Sequence, residues 1–113
     1  MARSIRIYYA NVNGRVAKNF NINGFDINNR STVLVTAAPV DIHAPPGLGF
    51  PSDFQDEARL NVHGPDVRVS NVVPHGPPLE ATGVEFVLTT DGPTGVAVTI
   101  ILLEPWETAF REA

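Results

Sequence analysis

Cysteine is missing altogether from these 113 residues, and with it go disulfides, thiolate metal sites and cysteine nucleophiles. Lysine occurs once, at Lys18, and the formal net charge is −4, so the chain lacks the basic stripe that phosphate binding requires. Nucleic acid is therefore not an expected partner. No stretch approaches the roughly 18 apolar residues of a membrane span, and the opening "MARSIRIYYANVNG" holds no apolar run of signal-peptide length. A soluble protein that does not engage a membrane is expected, and the lack of cysteine points, if anywhere, to the cytoplasm.

Nucleotide and serine chemistry are short of their motifs as well. The phosphate-cradling G-x-x-x-x-G-K-[ST] does not occur, and none of Ser4, Ser31, Ser52 and Ser70 sits in a G-x-S-x-G frame. In "GLGFPS" at 47–52, Pro51 stands where a dinucleotide fingerprint needs its third glycine and the start of a helix.

Apolar alternation at period two is what the chain does have. With 43% hydrophobic and 18% charged residues it has enough apolar side chain for a core, and its length suits one domain spanning 1–113. In "SIRIYYA", Ile5, Ile7 and Tyr9 share a face; Val16, Phe20 and Ile22 do so in "RVAKNFNI", where Lys18 on the same face predicts an edge position or a bulge. "STVLVTAA" is apolar on both faces and reads as a central strand. Residues 58–63 and 67–70 alternate again. The last run places Val84, Phe86 and Leu88 on one face before "DGPTG", then Val96, Val98, Ile100 and Leu102 after it. Asn13-Gly14 and "DGPTG" are the chemistry of hairpin turns, so each is expected to reverse the chain. The fold class that follows is all-β: a single antiparallel β-sandwich of about seven strands, immunoglobulin-like or jelly-roll. Pro105, with Trp106 and Phe110 four residues apart, predicts a short C-terminal helix.

Charge is unevenly placed along the chain. Residues 1–30 carry +4 and residues 31–113 carry −8. Such asymmetry can guide a nucleic-acid contact or a head-to-tail contact between copies, but a sandwich interleaves its early strands with later ones, so the two signs are expected to mix on the surface.

Four groups of residues are candidates for function. His43, His63 and His75 each stand two residues before a proline, and three imidazoles with an open position form catalytic zinc sites, with Asp53 or Glu57 as a base. Spacings of 20 and 12 residues do not force them together, so turn positions account for them better, and a divalent metal is a subsidiary expectation beside no cofactor. "NFNINGFDINNR" mimics a calcium loop but has Asn19 and Arg30 where that loop needs acidic ligands. Asn19, Asn21 and Asn23 alternate along one polar face, an amide ladder that suits sugar hydroxyls, with Tyr8, Tyr9 or Trp106 for stacking. The segment 39–57 is long, proline-stiffened and carries Leu48, Phe50 and Phe54, which suits docking onto a partner or another copy.

The leading expectation is a non-enzymatic β-sandwich module that binds or assembles through protein contacts as a homo-oligomer, using Leu48, Phe50, Phe54 and Trp106. A lectin-like carbohydrate domain using Asn19, Asn21 and Asn23 is the first alternative. A small metal-dependent enzyme using His43, His63 and His75 is the second.

Overall fold

The structure is a computed structural model and describes residues 2–40 and 60–112. Within these residues the protein is all-β, without helix: β1 (Arg3–Asn21), β2 (Thr32–Val40), β3 (Val67–His75) and β4 (Gly83–Leu103) form one antiparallel sheet. No helix among them is long and apolar enough to cross a membrane.

β4 is the common partner. β1 pairs with it from Arg3↔Leu102 to Asn21↔Gly83, almost its whole length. On the other side β2 pairs with the C-terminal half of β4, and β3 pairs with the N-terminal half. Pro39 and Pro74 lie in β2 and β3, whose one ladder partner among the described strands is β4, as suits a residue without a ladder N–H.

Both long strands bend at their middles. Between the pairs Val12↔Thr94 and Gly14↔Thr90 there is one residue of β1 and three of β4, so the two irregularities face each other in register. Gly14 (φ 76°) and Gly92 (φ 112°) take the left-handed backbone that these corners need. Across the bend, Tyr9 and Lys18 lie nine positions apart on β1, about 30 Å along a straight strand. Yet the Lys18 ammonium sits 4.7 Å from the Tyr9 ring centroid, and the same ring packs edge-on against Phe86 at 6.5 Å.

The even-numbered face of β4 fills the interior of this bend. Val84, Phe86, Leu88, Val96, Val98, Ile100 and Leu102 form one buried cluster with Val12 and Ile27. Ile5, Ile7, Val16 and Phe20 of β1, Val33 and Val35 of β2, and Val67 and Val69 of β3 pack against it. The segment 22–31 closes the open side: Phe25 lies beneath Arg3 at one end of the sheet, and the Ile27 carbonyl lies against Gly76 at the other.

Several expectations are corrected here. About seven separate strands were expected, and the described residues hold four, because Asn13-Gly14 and "DGPTG" bend their strands instead of reversing them. Each half-strand finds its partner across the sheet, where β1 and β4 match over both halves, and so neither turn closes a hairpin. "STVLVTAA" is an outer strand, with Leu34 53% exposed, and β4 takes the centre. Of the strand expected at 58–63, the described part has only the bridge Val40↔Leu60; beyond it Asn61 captures the His63 amide with its side chain (3.0 Å) and the Gly64 amide with its carbonyl (3.1 Å), making a turn. The expected C-terminal helix is not formed: 104–112 have no regular structure, and the tail is held beside the 28–31 turn by the Trp106 N–H, which donates to the Arg30 carbonyl (3.2 Å). The expected edge position of Lys18 is found, as β1 pairs with β4 alone among the described strands.

Two consequences are measurable. A Cβ at Gly76 would overlap the Ile27 carbonyl and the Asn28 Cα, both backbone atoms with little room to yield. Gly76→Ala is therefore expected to cost about 3 kcal/mol in urea unfolding, through forced displacement of the closing segment. Burial pushes the Tyr9 phenol above its ordinary 10.0. The folded chain thus keeps that proton to higher pH than the unfolded chain, so the contribution is intact below about pH 10 and is lost as pH rises through the folded value. Urea titrations across the alkaline range should show a shallower decline for Tyr9→Phe than for the parent.

Candidate binding surface

One end of the sheet gathers the start of β1, the closing segment 22–31, the start of β2 and the end of β4. A cavity of about 290 Å³ opens there, walled by Arg3, by Phe25, Asp26 and Ile27, by Ser31, and by 102–105 at the end of β4. Two cation–aromatic stacks border it. The Arg3 guanidinium lies 4.0 Å from the Phe25 centroid and donates from Nη1 to the Gly24 carbonyl at 3.3 Å. The Arg30 guanidinium lies 4.4 Å from the Trp106 centroid, while its own carbonyl accepts from the Trp106 N–H. Stacks of this kind hold a cation in place while leaving its N–H groups able to bond outward.

Local chemistry sets the position of Arg30. The Asn28 side-chain oxygen accepts from the Arg30 amide at 2.8 Å, and Ser31 Oγ accepts from the Asn28 amide at 3.0 Å, so 28–31 is a locked polar turn. The tail then runs alongside this turn in continuation of β4.

Apolar side chains lie exposed nearby. Leu34 stands opposite Ile101 across the β2–β4 ladder, with Leu103 as the diagonal neighbour on the same outer face. Leu103 and Trp106 are each 40% exposed, and Phe110 is 87% exposed, so the tail carries its apolar groups outward.

The residues named from the sequence fall in different places. Leu48, Phe50, Phe54 and His43 lie outside the described residues, as do Asp53 and Glu57. The antiparallel bridge Val40↔Leu60, with Asn61 N–H donating to Pro39 O at 2.8 Å, holds together the two chain positions on either side of that segment. A second cavity, about 310 Å³, lies beside this bridge between Ala37–Pro39 and Leu60–Val67.

His63 is exposed in its turn, whereas His75 is buried at the end of β3. The His75 Nδ1–H donates to the Ala81 carbonyl at 2.6 Å, and Nε2 meets the Asn19 side-chain amide at 2.8 Å, so both ring nitrogens are engaged within the protein. Among the described residues no three His, Asp or Glu side chains converge as a metal would need. Asn19 and Asn21 face outward on β1, but Asn19 is tied to His75, and Asn23 lies past the end of the ladder. Tyr9, considered for stacking on a sugar, instead packs against Phe86 in the interior.

Sequence reasoning named Trp106 but missed Arg3, Phe25 and Arg30. Their pairings join positions far apart in sequence, and no local spacing announces them.

The His75–Asn19 contact bridges β3 and β1 across Gly83, where β4 offers no side chain. In a double-mutant cycle, Asn19→Ala and His75→Ala are expected to be non-additive by about 1 kcal/mol of unfolding free energy. Additive losses would show that the contact carries no energy of its own. Compared with protein-family models, with curated proteins and with solved structures, the chain matches none of them.

Proposed function

We propose that this protein is a non-enzymatic β-sandwich module, its bent sheet providing the two layers, that assembles with copies of itself through the end bearing the cavity and the tail. The observation that carries this reading is the exposure of Leu34 and Leu103 on one outer face of the sheet, together with that of Phe110 on the tail that follows β4. An exposed apolar residue alone is ordinary, but several together with an irregular tail that leaves the sheet suit a contact surface.

Charge favours a second copy as the occupant. β1 carries Arg3, Arg6, Arg15 and Lys18 with no carboxylate, while residues 31–113 carry −8, so the basic strand of one copy complements the acidic remainder of another. A contact between unlike surfaces is head-to-tail, and closes into a ring or runs on as a filament.

Light scattering tests the reading. The parent chain is expected to exceed the 12.2 kDa of one copy, with its mass falling as salt is added. Phe110→Asp combined with Leu34→Asp should return the mass to that of one copy with an unchanged circular-dichroism spectrum. A parent chain that stays at one copy up to high concentration in low salt would remove self-assembly.

A further inference from the structure

We propose that Asn23 is a site of spontaneous covalent modification, deamidating to aspartate and isoaspartate, and that the fold shields Asn13 from the same reaction. The chain contains two Asn-Gly pairs, Asn13-Gly14 and Asn23-Gly24. Sequence alone makes them equivalent, since in each a glycine leaves the following amide nitrogen sterically open. Both asparagines are exposed, and the space where a Cβ would stand is empty at both glycines. Steric access therefore does not separate them.

The fate of the glycine amide does. The reaction begins when that nitrogen loses its proton to a base and attacks the asparagine Cγ. A C–N bond forms, the side-chain nitrogen leaves as ammonia, and a five-membered imide results. Water then opens either imide carbonyl, giving aspartate or isoaspartate with no oxidant or reductant required.

At Gly14 the N–H donates to Thr90 Oγ1 at 3.1 Å, and the Thr90 hydroxyl donates in turn to the Val12 carbonyl at 3.4 Å. Thr90 is buried, and Gly14 and Thr90 are themselves paired in the β1–β4 ladder. A base reaches this proton only when the corner opens.

At Gly24 the situation is reversed. The ladder between β1 and the residues before β4 ends at Ile22, whose N–H donates to the Thr82 carbonyl at 2.9 Å. Asn23 is the next residue, and among the described residues the Gly24 N–H donates to no acceptor. Its proton is open to water and base.

The product would alter the candidate surface. The Gly24 carbonyl accepts from Arg3, and the adjacent Phe25 ring supports the same guanidinium at the cavity wall. Aspartate adds a negative charge beside this cation, and isoaspartate lengthens the main chain by one methylene where the turn positions Phe25.

Incubation of the full chain at mildly alkaline pH, followed by trypsin and mass spectrometry, measures each site separately. Cleavage after Arg6, Arg15, Lys18 and Arg30 places Asn13 and Asn23 on different peptides, and fragmentation assigns the modified residue. In the folded chain Asn23 is expected to convert at least about tenfold faster than Asn13, the difference made by local protection. In urea the two rates should converge, which ties the difference to the fold. Equal rates in the folded chain, faster conversion at Asn13, or a folded chain inert at Asn23 while the unfolded chain reacts at both would each overturn the proposal.

Discussion

The described sheet depends on β4 meeting every other strand. β1, β2 and β3 have their ladder bonds with β4, and its even-numbered side chains are the bulk of the buried cluster. Burying side chains such as Val84, Phe86, Leu88, Val98 and Ile100 stabilises the fold by roughly 1.5–3 kcal/mol each relative to leaving them exposed. Because β4 comes last among the strands, β1 has no neighbour in the sheet until residues some sixty to one hundred positions later are in place. The pairing of β1 and of β2 is distant in sequence, and loop-closure entropy must be met before either strand stabilises the chain; β3 with β4 is the local exception.

Inward faces were legible because the period of a strand is a local property. The sets 5/7/9, 33/35, 84/86/88 and 96/98/100/102 all face the core as alternation requires. The path of the chain between those runs was not legible. Asn13-Gly14 and Asp91-Gly92-Pro93 correctly mark places where backbone direction changes, but residues that permit a positive φ do not set the angle of the change. That angle follows from what lies opposite. Two corners in register let β1 and β4 continue together, and each half then gains a full partner where a tight hairpin would have left two separate ribbons.

The candidate surface was partly legible for a related reason. Trp106 stood out by type, but its support comes from Arg30, 76 positions earlier in the sequence, and Arg3 rests on Phe25. The tail shows the same competition between local and distant partners. Pro105 with apolar residues at i and i+4 is a valid helix start, yet a helix of one or two turns has too few internal bonds to be stable alone, and the tail instead takes a distant partner at the Arg30 carbonyl. His75 is comparable: its neighbouring prolines suggested a solvated turn, but the absent side chain at Gly83 leaves space between β3 and β1 that the imidazole spans to Asn19.

The charge pattern governs which contacts between copies are open to this sheet. β1 pairs with β4 alone among the described strands, and an unpaired edge is a template for another strand. Four cations with no carboxylate make two β1 edges repel each other, which disfavours the two-fold pairing that a long edge strand otherwise invites. The bend between Tyr9 and Gly14 interrupts the edge as well, limiting any straight run that a second copy could match. What stays attractive to β1 is negative charge, of which residues 31–113 carry a net eight in sequence. The same charge distribution that disfavours edge-to-edge pairing is the reason the proposed assembly joins unlike surfaces, in which the exposed apolar groups of the tail would exclude water.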